Sequence, residues 1–186
     1  MHAAPLGIRG WRLDEAELVT AAMYKGRLVH PNVTCQHSSA LYCPAIRHLV
    51  LNPGDGAGAF SKSKEWVELL GNVEIIDWLD LAERNVDARY HPHSGFVRCG
   101  FVHAFRHLRL ATPYVAAIAE TLLGGGDTDT NACIVGGLSG ALHGELDIPE
   151  ALRASVMNCD TSRGRPRPEW LQTRVQLSRL MDALAE

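Results

Sequence analysis

Apolar positions along the chain recur mainly at helical spacing. Leu13 to Val29, LDEAELVTAAMYKGRLV, carries one apolar stripe with Asp14 placed to cap its start. Gln36 to Leu51 forms a second helical segment, closed by Asn52-Pro53-Gly54. Lys64 to Leu70 and Val73 to Arg84 predict two more helices, parted by Gly71-Asn72. Val97 to Arg109 is amphipathic, and Pro113 to Leu123 is so apolar that it reads as a core helix. Asn131 to His143 and Leu171 to Leu184 complete the set. Between them, Gly54 to Ser63, His91 to Gly95 and the stretch SRGRPRPE from Ser162 have loop composition. Period-two alternation is weak and short, no hairpin dipeptide joins two apolar runs, and no internal repeat occurs. The pattern predicts an all-α fold, compact and multi-helical, in one domain over residues 1–186.

Composition adds boundaries to that picture. With 186 residues, 46% hydrophobic and 21% charged, the chain has the make-up of an ordinary globular domain. A net charge of -3 argues against nucleic acid as a partner. No apolar run approaches membrane-spanning length, and the N-terminus MHAAPLGIRGW lacks a signal-peptide core. The five cysteines are odd in number, irregularly spaced and without a CxxC pair, which fits reduced thiols and a cytoplasmic location.

One stretch departs from this ordinary background. Gly124 to Ala132 reads GGGDTDTNA, with two acids and a threonine between a glycine run and a helix of very small residues. In a loop or tight turn, this spacing can bring the Asp127, Asp129 and Thr130 oxygens to one point. Such hard donors suit Mg²⁺ or Mn²⁺ rather than zinc. Two carboxylates ~4 Å apart repel by about 4 kcal/mol at an effective dielectric of 20, and a dication removes that repulsion. The following NACIVGGLSGALHG holds glycines that each cost about 1 kcal/mol in a helix against alanine. That many small residues imply a helix tightly clamped by its neighbours, hence a rigid seat for the turn.

Simpler readings compete. An Asp-Thr pair before a helix commonly does no more than cap it. A Walker A loop is excluded because no Gly-Lys-Ser/Thr follows, and an EF-hand because its closing glutamate is absent. His103 and His107, in HAFRH, are spaced for zinc but lack the glutamate of HExxH, and read as exposed residues of an amphipathic helix. His91 and His93 read as loop residues, Cys35, His37 and Cys43 as structural, and Asp77 and Asp80 as a solvated helix face. Arg163, Arg165 and Arg167 form a basic turn, while Trp66, Trp78 and Trp170 read as core or interface anchors.

The run GGGDTDTNACIVGGLSGALHGELDIP closely resembles the C-terminal signature of the ADP-ribosylglycohydrolase family, of the dinitrogenase-reductase-activating glycohydrolase type. Three further segments agree in order: His2 to Gly7 with the family's RxAPLG, Leu28 to Asn32 with its LTHP, and Ser94 to Val97 with its sGYV turn. The resemblance implies an all-α fold with a cleft for two divalent metals, Mg²⁺ or Mn²⁺. It implies hydrolysis of the glycosidic bond between ADP-ribose and a protein side chain or related conjugate. Asp127, Asp129 and Thr130 would be metal ligands; His30 and Gly95 would line the substrate cleft. The family's earlier glycine-rich opening, catalytic-type glutamate and Thr-Asp-Asp-Thr ligands have no counterpart in this sequence. The domain is therefore shortened at its N-terminus relative to the family, and no general base is identifiable. Two expectations follow: a metal-dependent hydrolase, or a catalytically inactive relative that binds ADP-ribose or a partner protein. A half-complete core exposes apolar surface, so a homo-oligomer is expected.

Overall fold

The computed structural model describes residues 3–86, 96–160, 162 and 166–185. Among the described residues the fold is all-α, with no strand. The helices are α1 (Ala3–Arg9), α2 (Glu15–Val29), α3 (Val33–Leu51), α4 (Gly56–Leu70) and α5 (Val73–Glu83). They continue with α6 (Val97–Leu110), α7 (Tyr114–Leu123), α8 (Thr128–His143), α9 (Glu150–Met157) and α10 (Thr173–Ala185). The chain divides into two compact units, Met1–Asp147 and Ile148–Glu186.

Polar side chains cap the starts of α2 to α5. Asp14 and Glu17 form a reciprocal capping box on α2. The Asn32 side chain accepts from the Thr34 amide at 2.8 Å, and Asn72 accepts from the Glu74 and Ile75 amides. Asp55 accepts from the Gly58 amide at 2.8 Å and is tied to His48 at 2.8 Å. That pair fastens the end of α3 to the start of α4.

The unit's core gathers around α3, α6 and α8, with Leu41, Ile46, Phe60, Trp78, Phe105 and Leu138 fully or almost fully buried. α6 and α8 run in the same direction. A Cβ on Gly100 would meet Asn131 and Ile134 near the start of α8. One on Gly56 would meet the Leu108 carbonyl and the Leu142 side chain, near the ends of both helices. α7 runs back alongside, as Gly136 against Ile118 and Tyr114 shows. α6 and α8 thus begin at one end of the unit, where α7 finishes.

Several expectations change. The loop composition of Gly54 to Ser63 hides the first half of α4. Gly56 is required by close packing, since a Cβ there would lie 3.0 Å from the Leu108 carbonyl oxygen. α3 starts at Val33, earlier than its apolar stripe suggested, because Asn32 caps it. α1 and α9 were not foreseen; both are short. α7 is not a core helix: only Ala117 and Thr121 are buried, and Val115, Leu122 and Leu123 face outward. His103 and His107 are not exposed but 1% and 2% accessible. They sit on the inner face of α6 two and one turns before its end. Asp77 and Asp80 do lie on an exposed face, with Asp80 paired to Arg84 at 3.1 Å.

In the second unit, α9 and α10 bury no described side chain completely. Trp170, expected as an anchor, is 63% exposed, whereas Trp78 is buried. Of the basic turn, Arg163 and Arg165 lie outside the described residues, as do His91, His93 and Gly95.

Candidate functional site

Helix α8 begins earlier than the small-residue run suggested, and this changes how the acidic turn is built. Gly125 and Gly126 have φ of +77° and +72°, a left-handed path that glycine follows without strain. Asp127 then stands at the N-cap, and Asp129 and Thr130 lie in the first helical turn rather than in a loop. The Asp127 carboxyl makes no capping hydrogen bond. Its backbone carbonyl accepts from the Asn131 amide at 3.0 Å, so the helix starts without help from the side chain. The Asp127 carboxyl is thus not spent on capping α8. A side-chain hydrogen bond with Asp127 holds the Asp129 carboxyl below the usual carboxylate range, and the Thr130 backbone N–H adds to this. The two carboxyl groups thus stand within hydrogen-bonding reach of each other, on an open edge beside Thr130.

That seat is rigid for the reason the small residues implied. Gly137 leaves space for the Tyr42 hydroxyl, which would lie 2.5 Å from a Cβ there. The hydroxyl donates to the Ile134 carbonyl at 2.7 Å, joining α3 to the middle of α8. Gly136 admits Ile118 and Tyr114 of α7 in the same way.

One turn beyond Asp129, Cys133 opens into a cavity of about 70 Å³. Its other walls are Ser38, Ser39 and Tyr42 of α3 and Val97 and Phe101 of α6. Positions 129 and 133 share a helix face, so the acidic turn and the cavity lie along one line. A second cavity of about 90 Å³ shares Ala3 and Ser39 with the first, and His30 forms part of its wall with Lys25 and Gly26. His30 itself is exposed, at the C-cap of α2. The structure thus puts Asp127, Asp129 and Thr130 together on one turn and His30 on a neighbouring cavity. Gly95 lies outside the described residues.

Sequence reasoning missed Ser38, Ser39, Tyr42 and Cys133 as cavity residues. Gly137 was the available signal, since a glycine in mid-helix requires a large neighbour. Cys133 is an exposed free thiol, whereas burial raises the Cys43 thiol to about 12 and makes it inert. Among the described residues no three His, Cys, Asp or Glu side chains gather as a metal site, so the zinc reading of His103 and His107 has no third ligand.

The sequence profile of the ADP-ribosylglycohydrolase family matches residues 1–186. The chain belongs to the ADP-ribosylglycohydrolase family. A protein of Acanthamoeba polyphaga mimivirus carrying an ADP-ribosyl glycohydrolase name is 42% identical over 82 residues. That alignment covers 41% of this chain and 24% of the mimivirus protein. No solved structure matches the chain. Among the described residues no helix is long and apolar enough to cross a membrane.

Proposed function

We propose that the chain takes part in metal-dependent hydrolysis of the glycosidic bond joining ADP-ribose to a protein side chain or a related conjugate. The observation that carries this is the acidic turn. It presents two adjacent carboxyl groups and a threonine, with the Asp127 side chain left out of helix capping. Its donor set fits a hard dication, Mg²⁺ or Mn²⁺, held by Asp127, Asp129 and Thr130. When bound, the ion supplies Lewis-acid polarisation and orients hydroxyl oxygens of the sugar. The chain's own residues do the rest. Gly125 and Gly126 shape the approach to the turn, α8 holds the carboxylates in place, and the cavity between α3, α6 and α8 takes part of the substrate. His30 borders the adjoining cavity and contributes a polar contact there. The family's general-base role is assigned to no residue of this chain.

A second reading is binding without hydrolysis. It is favoured by the absence of a third acidic, histidine or cysteine ligand beside the turn among the described residues. A homo-oligomer in which a second copy covers the exposed apolar helix faces belongs to both readings.

Incubation with an ADP-ribosylated peptide separates them. Metal-dependent release of ADP-ribose, lowered at least 100-fold in Asp127→Asn, is expected for the hydrolase. A folded wild-type chain that binds ADP-ribose with Mn²⁺ but releases none establishes the second reading. Release unchanged without metal, or unchanged in Asp127→Asn, contradicts the assignment of the turn.

A further inference from the structure

Charges of opposite sign flank the start of α3 without meeting. Arg27, in the last turn of α2, is exposed and reaches no acid among the described residues. Asp127 and Asp129 are joined to each other but face no described cation. α2 lies on one flank of α3, where a Cβ on Gly26 would come 3.1 Å from the Gln36 Cα. α8 lies on another, with Ser38 and Cys133 lining one cavity and the Tyr42 hydroxyl on the Ile134 carbonyl. Positions 36 and 38 point to nearly opposite sides of a helix, so the start of α3 separates the basic edge from the acidic turn. α3 and α8 run in the same direction, as Ser38 beside Cys133 and Tyr42 against Gly137 show, and α2 ends where α3 begins. Arg27 and the acidic turn therefore face the same way. The surface between them is apolar: Leu28 is 73%, Val29 58% and Val33 53% exposed.

A face carrying a cation, an apolar strip and an acidic turn in that order is self-complementary. A second copy, rotated by half a turn, sets its acidic turn over Arg27 and its Arg27 over the acidic turn. A partner of uniform charge would satisfy only one edge. The apolar strip supplies the attraction, while the exposed ion pairs fix the register and add little affinity. The planar fork of an arginine matches two adjacent carboxyl groups.

We infer that two copies of the chain associate about a two-fold axis through the starts of α3, with the partner's Arg27 entering the acidic turn. The turn is then covered in the pair and open in the monomer, and the partner's Arg27 competes with a dication for the same carboxylates. The pairing stands on exposure and charge alone; the competition rests on the metal reading above.

The test is sedimentation equilibrium of the full chain in metal-free buffer, with Arg27→Glu, Asp129→Lys and the double variant carrying both. Each single reversal should raise the dimer dissociation constant about tenfold or more, and the double variant, with the signs exchanged, should recover most of the loss. Melting temperatures should stay level, since both side chains are exposed. Val33→Glu should dissociate the pair as well, and it keeps the axis testable if Asp129→Lys disturbs the start of α8. A wild-type chain that is monomeric at millimolar concentration, single reversals that change nothing, or a double variant no tighter than the single ones overturns the proposal. Added Mn²⁺ should shift the wild-type pair towards monomer. A pair that obeys the charge exchange yet ignores Mn²⁺ overturns the metal assignment of the turn and leaves the interface standing.

Discussion

His107 is almost fully enclosed, and neither ring nitrogen finds a partner among the described residues. Burial lowers its pKa from 6.5 to about 4; Glu120 opposes the shift, while Arg106 and His103 reinforce it. A folded pKa below the unfolded one means that the unfolded chain takes up the proton first as pH falls. His107 stability is therefore fully present above about pH 6.5 and is lost progressively towards pH 4, by about 3 kcal/mol at that limit. Burial lowers the His37 pKa too, and Glu120, held below the carboxylate range by Arg106 despite its own burial, acts in the same direction at lower pH. Denaturant titrations at pH 7 and pH 4.5 should show this loss, and His107→Leu should flatten it; an equal slope in the variant contradicts the assignment. The sequence pointed the other way, because HAFRH at helical spacing looks solvent-facing and nothing local reveals that tertiary packing buries it. The acidic turn, by contrast, was legible, since its chemistry lies within four consecutive residues. What escaped was its conformation: helix geometry starts at Thr128 once the glycine pair turns the chain.

At the scale of elements, glycine content misled in α4 and informed in α8. Gly56 and Gly58 weaken α4 locally, but Asp55 caps it, and the Leu108 carbonyl requires a residue without a side chain at Gly56. That requirement is a tertiary fact and leaves no trace in a window of ten residues. In α8 the glycines were too many to be accidental, and the close neighbours they implied are present. Gly137→Ala would drive a methyl group into the Tyr42 hydroxyl and break its bond to Ile134. Destabilisation of about 1–3 kcal/mol is expected, read as a fall of roughly 3–10 °C in melting temperature. Gly7→Ala should be at least as severe, because the methyl would lie 2.7 Å from Ile46 Cβ and 2.9 Å from the Cys43 carbonyl oxygen, and neither can move freely. Unchanged melting in both variants would show that α1 and α3 do not pack as closely on their partners as described.

For the molecule as a whole, α7 turns Ala117 and Ile118 inward but leaves its other apolar face uncovered among the described residues. Val115, Leu122 and Leu123 point outward, Leu123 with 88% exposure, and the helix's only charge, Glu120, is engaged by Arg106. Contiguous apolar surface of this kind marks an interface. Light scattering should therefore give twice the chain mass, and Leu123→Glu should return it to a monomer without unfolding it. A wild-type monomer at millimolar concentration contradicts the expected self-association. The Tyr42 contact has a separate outcome for motion. Its oxygen lies between the Ile134 carbonyl and the Leu138 amide, so a phenol from another helix stands at one rung of the α8 ladder. Deuterium uptake at Leu138 should consequently follow the breathing of α3 rather than fraying from either terminus of α8. A molecule lodged between Ser38 and Cys133 would slow that isotope clock without touching the rung itself.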